Sequence, residues 1–291
     1  MSAAAPLRDA APGKTNLCLY LGPTRPDGRH ELVSVMQSLT LADELTLEPR
    51  ADGGDADEVV CPGVTGENLA GAALAAFRAA TGWDAPPQRL TIAKHVPVAA
   101  GMGGGSGDAA AALRLAHTAS GLGDAELLHH LATGLGADVP AQVEPGRVLA
   151  TGAGETLERL PAPAPYGVLV LPSHLALSTA DVYREADRMG LGRDAADLAQ
   201  RLADVREFGA DLPDALIHND LEAAARSLAP EIGRTLIEAM AAGADRSFVS
   251  GSGPTVIGLF ADRDAAREAA AGLAERDPPA RYAEPIGLPG A

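Results

Sequence analysis

Apolar and polar positions alternate over residues 15–21 (T-N-L-C-L-Y-L), the two-residue period of a half-buried strand, and 22–28 reads as the turn that ends it. A second strand is predicted over 39–47, followed by a loop over 49–57. The pattern then changes to a helical period. An alanine-rich helix over 67–81 places Leu69, Leu74 and Phe77 on one side. Residues 89–96 form a strand closed by Pro97, the run 101–107 is a glycine loop, and a helix over 106–120 stacks Ala109, Leu113, Ala116 and His117 at helical spacing.

The stretch P-A-P-A-P at 161–165 is stiff and extended, which suits a boundary between a domain over 1–162 and another over 163–291. Beyond it, 167–171 is an apolar strand and helices are predicted over 179–189, 194–203, 216–228 and 231–242. A short strand over 247–249, a small glycine loop, a strand over 255–260 and a helix over 263–275 complete the reading. Strands and helices mix without a strict alternation and no internal repeat is visible, so two α+β domains are expected. A length of 291 residues agrees with two cores better than with one.

Charge narrows the partners. Lys and Arg number 23 against 39 Asp and Glu, a formal net charge of −16. Such a surface repels nucleic acid and anionic lipid, so neither is expected as a partner. Cys18 and Cys61, the only cysteines, make neither a disulfide framework nor a four-ligand zinc site and read as free thiols in a reducing compartment. The beginning, M-S-A-A-A-P-L-R-D-A-A-P-G-K, lacks a charged and then apolar signal pattern. No apolar run reaches the roughly 18 residues of a membrane span. A cytoplasmic protein is expected.

Phosphate binding by an acidic protein needs local donors, and one segment supplies them. V-P-V-A-A-G-M-G-G-G-S-G-D-A-A-A-A-L, residues 96–113, sets five glycines and a serine between a strand and a helix. Glycine allows the backbone close to a ligand, and a helix N-terminus adds unpaired N–H donors with a partial positive charge. Two familiar nucleotide patterns fail. G-x-G-x-x-G breaks at Ser106 or Asp108, and Gly13-Lys14-Thr15 mimics a P-loop end although Arg8 stands where its first glycine belongs. Lys14 and Lys94 are the only lysines beside 21 arginines, as if a compact ammonium were wanted there. A second glycine loop, Ser250-Gly251-Ser252-Gly253, precedes a buried-type strand and could equally be a bulged turn.

Three segments therefore stand in order: A-P-G-K-T-N-L, the glycine loop over 101–107, and S-G-S-G-P. This arrangement resembles the three-motif pattern of the GHMP kinase superfamily. Within it, R-P-D-G-R-H-E-L-V-S-V-M-Q-S-L-T-L-A-D-E-L (25–45), L-G-A-D-V-P (135–140) and N-D-L-E (219–222) resemble the cytidyl-methylerythritol kinase family more than mevalonate or homoserine kinases. The resemblance is continuous over 11–47 and 94–154 and patchier beyond. It implies a two-domain α+β kinase with its active site in the cleft between domains. The implied reaction moves the γ-phosphoryl of ATP, with Mg²⁺, to the 2-hydroxyl of a cytidine diphosphate methylerythritol. A homodimer is compatible with it.

Residue by residue, the resemblance puts Asp138 and Lys14 in the catalytic positions. Pro97, Gly101, Gly103, Gly104, Gly105 and Ser106 fall on the ATP site, with Ser106 also the candidate magnesium ligand. Asn16, Arg29, His30, Tyr183, Gly251 and Ser252 fall on the substrate site, His30 at the cytosine edge and Tyr183 against the base. Three departures stand out. Gly13 and Thr15 replace an alanine and an apolar residue, Gly107 replaces a second serine, and Arg29 takes the place of an aromatic residue that stacks on cytosine. A guanidinium plane can also stack on a base. The alternatives are another GHMP kinase, for mevalonate, homoserine or a sugar, and a nucleotide-binding member of the fold without catalysis.

Overall fold

The computed structural model describes residues 5–209 and 211–287, so residues 1–4 of the amino-terminal stretch lie outside the described residues. Two compact units gather from discontinuous segments: Met1–Gly13, Ala42–Val98 and Gly103–Glu144 in the first, and Lys14–Leu41, Ala99–Met102 and Pro145–Ala291 in the second. Two long strands, β1 (Leu7–Thr24) and β2 (His30–Pro49), each run from one unit into the other. The proline stretch at 161–165 lies inside the second unit.

In the first unit β3 (Glu58–Val60) runs parallel to β4 (Gln88–Ala93), and β4 runs antiparallel to the later half of β2, with Glu44 opposite Ala93 and Pro49 opposite Gln88. Leu45, Leu47, Leu90 and Ile92 of these strands share one core with α1 (Leu69–Thr81), α2 (Gly104–Ser120), α3 (Ala125–Leu135) and the short α4 (Val139–Val143). Asn68 caps α1 by accepting from the Ala70 N–H at 2.9 Å, and Gly82 ends it in the left-handed conformation. Residues Ala109–Ala112 of α2 are each 0% exposed, so this helix is buried on more than one side. Small side chains let α1 pack closely against it.

In the second unit the earlier half of β2 pairs antiparallel with β5 (Arg147–Thr151), and β5 with β6 (Thr156–Arg159). A separate antiparallel sheet has the order β11-β7-β10-β9, formed by β7 (Gly167–Leu171), β9 (Arg246–Val249), β10 (Val256–Phe260) and β11 (Arg281–Ala283). The helices are α5 (Thr179–Met189), α6 (Ala195–Phe208), α7 (Glu222–Leu228), α8 (Ile232–Ala241) and α9 (Arg263–Gly272). The two-residue strand β8 (His218–Asn219) lies parallel to β1, with Cys18 opposite His218 and Leu19 opposite Asn219. Gly167 allows α9 close to β7: a β-carbon there would meet the Ala266 methyl at 2.4 Å.

Several boundaries depart from the sequence reading. The strands expected over 15–21 and 39–47 span 18 and 20 residues. The helix expected over 216–228 begins only at Glu222, because 218–219 pair with β1. The helix expected from 106 starts at Gly104, with Gly103 at φ 65° in the cap position and no side-chain cap. Elements β3, α3, α4, β5, β6 and β11 have no counterpart among the elements expected from the sequence. No helix among the described residues is long and apolar enough to cross a membrane.

Candidate active site

Strand geometry places Lys14 and Asn16 on one face of β1 and Thr15 on the other. Lys14 is 6% exposed and its Nζ donates to Asn16 Oδ1 at 2.7 Å. Asn16 Nδ2 donates to Ser34 Oγ at 2.7 Å, and Ser34 donates to the Cys18 carbonyl at 2.7 Å. A lysine in this strand is thus held by a buried polar network. Thr15, 0% exposed, has no hydrogen-bond partner for its hydroxyl. An apolar residue would suit that position better, which explains the pattern from which this chain departs.

The second unit brings parts of all three motifs together. The Lys14 N–H donates to the Met102 carbonyl at 2.8 Å, joining the first motif to the start of the glycine loop. Ser250 Oγ donates to the Gly101 carbonyl at 3.0 Å, joining that loop to the second one. Gly101 has φ +76°, and a β-carbon on it would sit 2.2 Å from the Ser250 carbonyl oxygen. No side chain fits there. Gly251, at φ +54°, would place a β-carbon 3.5 Å from Lys14 Nζ and 3.3 Å from Asn16 Oδ1. Its backbone therefore lies against the lysine. Ser252 Oγ and Thr179 Oγ1 are 3.0 Å apart, with either able to donate.

The remaining glycines belong to the first unit, at the start of α2. The first intrahelical bond runs from the Gly107 N–H to the Gly103 carbonyl, so the N–H groups of Gly104, Gly105 and Ser106 have no acceptor within the helix. A β-carbon on Gly105 would meet nothing within 4 Å, and one on Gly104 would come 3.2 Å from Lys94 Nζ and Val96 Cγ1. One on Gly107 would press on the Pro12 carbonyl oxygen at 2.8 Å. Close packing on β1 thus accounts for glycine at 107. Ahead of the helix, Ala99 at φ 53° is the only non-glycine with positive φ among the described residues, and Pro97 precedes it in the loop.

Lys94 sits in a buried cluster at the stem of this loop. Its Nζ bonds Asp43 Oδ2 and, at 2.7 Å, Asp108 Oδ2. Asp43, 0% exposed, also accepts from the His95 and Val96 N–H groups at 2.5 and 2.8 Å. Burial works against the Lys94 ammonium, but its bonds to Asp108 and Asp43 outweigh this and raise its pKa. One lysine between two carboxylates leaves Asp108 undercompensated. Burial, aided by the Asp43 charge and opposed by Lys94, pushes the Asp108 carboxyl up to about 6, and its Oδ1 has no hydrogen-bond partner. The odd lysine noted in the sequence is therefore a structural brace here.

Asp138 occupies the N-cap position of α4, and its carboxylate makes no capping hydrogen bond. It belongs to the first unit and Lys14 to the second.

His30 is 8% exposed, with Nδ1 3.0 Å from the Gly22 carbonyl oxygen and Nε2 3.0 Å from Asp187 Oδ1. Its ring centroid lies 5.7 Å from that of Tyr183 at an interplanar angle of 40°. The structure thus sets His30 beside Tyr183 and adds Asp187, which no motif announced. Arg29 is more than half exposed and forks onto Asp27 Oδ2 through Nε at 3.1 Å and an NH₂ group at 3.0 Å.

Comparison with known proteins gives the class and the family of the chain. Residues 68–146 match the GHMP kinases N terminal domain and residues 195–278 match the GHMP kinases C terminal domain, which makes the chain a small-molecule kinase by class. A 4-diphosphocytidyl-2-C-methyl-D-erythritol kinase of Streptomyces coelicolor is 41% identical over 271 residues, 89% of each protein, and one of Pelotomaculum thermopropionicum is 40% identical over 267 residues, 90% of this chain and 91% of that one. The chain belongs to the 4-diphosphocytidyl-2-C-methyl-D-erythritol kinase family. A crystal structure of 4-(cytidine 5'-diphospho)-2C-methyl-D-erythritol kinase matches with a TM-score of 0.80 at 32% identity, covering 97% of this chain and 100% of that one. Homoserine kinase from Cytophaga hutchinsonii shares the fold, with a TM-score of 0.75 at 15% identity over 99% of this chain and 96% of that one.

Proposed function

We propose that the chain transfers the γ-phosphoryl of ATP to the 2-hydroxyl of 4-diphosphocytidyl-2-C-methyl-D-erythritol, in the cytoplasm, as a step of the non-mevalonate isoprenoid precursor pathway. The observation that carries this reading is the meeting of Lys14, Asn16, Gly101 and Gly251 in one buried network, within a chain of this family. In this reading residues 1–162 supply the nucleotide loop and the catalytic pair, and 163–291 form the second functional domain.

Phosphoryl transfer asks the protein mainly to position reactants and to neutralise charge. Gly103, Gly104, Gly105 and Ser106 receive the phosphates through first-turn N–H groups and the helix dipole, with Pro97 and Gly101 setting the course of the loop. Asp138 takes the proton of the substrate hydroxyl. Lys14 neutralises the negative charge that develops on oxygen, and its bond to Asn16 fixes the ammonium. Asn16, Gly251 and Ser252 line the substrate side, and His30, Tyr183 and Arg29 receive the base.

Among the described residues no three His, Cys, Asp or Glu side chains gather to hold a metal. Mg²⁺ carried on nucleotide phosphates keeps several waters and takes few protein ligands, so a single hydroxyl beside the phosphates suits it. Ser106 Oγ would be the protein ligand, and the bound ion would offset phosphate charge. The test is ADP release by the purified chain with the cytidyl substrate, mevalonate and homoserine supplied separately. Turnover with the cytidyl substrate alone supports the reading, and turnover only with mevalonate or homoserine overturns it.

A further inference from the structure

The N-D-L-E segment, residues 219–222, carries no role in the chemistry above, yet two of its side chains hold the second glycine loop. Asn219 is 4% exposed, and its Nδ2 donates to the carbonyls of Val249 and Gly251, both at 2.7 Å. Its Oδ1 accepts from the Leu221 N–H at 2.9 Å. Both amide hydrogens and the amide oxygen are therefore engaged, which fixes the side chain in one orientation. Glu222 Oε2 accepts from the Val249 N–H at 3.2 Å, so Val249 is gripped at both its backbone groups. The loop held in this way is the one whose Gly251 lies against Lys14 and Asn16 and whose Ser250 bonds Gly101. Pairing of β8 with β1 sets Asn219 opposite Leu19, on the strand that carries Lys14.

Asp220, next in the segment, does different work. It accepts from the Leu21 N–H at 2.8 Å and from Arg193 at 2.6 and 2.7 Å, with His218 Nε2 at 2.8 Å, and none of these partners is in the glycine loop. The neighbouring positions thus separate a role in the loop from a role in the fold.

We infer that Asn219 is a positioning residue for phosphoryl transfer, acting through Gly251 to set the second glycine loop against the Lys14 ammonium. A carbonyl row with its donors removed is free to move, and a shift of about 1 Å in a reacting arrangement costs roughly a hundredfold in rate. This rests on the reading of Lys14 as a catalytic residue.

The test compares Asn219→Asp, which keeps the acceptor for Leu221 but removes both donors, with Asp220→Asn. Three quantities are read for each: kcat and KM for both substrates well below the melting temperature, the melting temperature itself, and amide hydrogen exchange over residues 247–253. Asn219→Asp is expected to lower kcat by roughly ten- to a hundredfold and to speed exchange at Gly251 and Ser252. Asp220→Asn is expected to lower the melting temperature while keeping kcat within about twofold and loop exchange unchanged. Where Asn219→Asp does not fold, Asn219→Ala carries the same expectation. The inference is overturned if the Asn219 variants keep wild-type kcat, or if loop exchange is unchanged. Failure of the wild-type chain to phosphorylate the cytidyl substrate would instead sink the functional reading, and the exchange comparison would still decide whether Asn219 holds the loop.

Discussion

Gly105→Ala separates nucleotide binding from stability, because the two should move in opposite directions. Gly105 lies in the first turn of α2, is exposed, and a β-carbon on it would meet no protein atom within 4 Å. In a helix interior glycine is worse than alanine by about 0.5–1 kcal/mol. An end position takes a fraction of this, so a gain of about 0.5 kcal/mol is expected. Proteins of this size shift by about 2–4 °C per kcal/mol, giving a rise of about 1–2 °C in Tm. The open space is the proposed seat of the ATP phosphates, and a methyl there displaces them from the first-turn N–H groups. A hydrogen bond to a charged group is worth about 1.5–3 kcal/mol, so losing one weakens ATP binding by roughly ten- to a hundredfold. Calorimetry with ATP and with the cytidyl substrate, each alone, beside a melting curve, reads all three quantities. Unchanged ATP affinity would refute the phosphate cradle at this helix end. Equal losses for both ligands with a lowered Tm would mean that the space is not open.

Three further outcomes follow. Asp138→Ala should lower kcat by about 10²–10⁴ with ATP affinity and Tm kept, as removal of a general base does; a variant with half the wild-type kcat removes Asp138 from the mechanism. Asp108, with its carboxyl raised to about 6, is protonated in the folded chain at a pH where the unfolded chain has already released the proton. Its contribution to stability therefore falls as pH rises from about 4 to 6, by at most roughly 3 kcal/mol. Relative to Asp108→Asn, wild-type Tm should drop across that window and level off above it; a difference that stays flat there contradicts the assignment. His30→Ala should reduce the preference for a cytidine over a uridine analogue in competition binding, whereas Arg29→Ala should weaken both alike, and an intact preference in the first variant places base reading elsewhere.

The sequence carried the class of fold and the three motifs, and its failures have physical causes. Strands β1 and β2 read short because Lys14, Ser34, Gln37 and Ser38 are buried polar residues just outside the predicted spans, which break the expected alternation. Residues 218–219 were absorbed into a helix because their pairing with β1 is a contact across 200 positions of chain. Glycine density announced a loop but not the work of each glycine. Gly101 and Gly107 are required by backbone packing against Ser250 and Pro12, whereas Gly105 faces open space. The role of Asn219 was illegible because its partners, Val249 and Gly251, lie 30 and 32 residues further on. Asp187 carries no motif, and only the turn of α5 that also presents Tyr183 sets it beside His30.

Transfer of the γ-phosphoryl of ATP to the 2-hydroxyl of the cytidyl-methylerythritol leaves phosphorus bonded through oxygen to one defined carbon. Phosphorus NMR of a reaction containing the purified chain, ATP, Mg²⁺ and substrate carrying carbon-13 at that position detects this linkage. A new phosphomonoester signal coupled to the labelled carbon is expected, growing in step with ADP and nearly absent with Asp138→Ala. ADP without the monoester, or a monoester on another carbon, would contradict it.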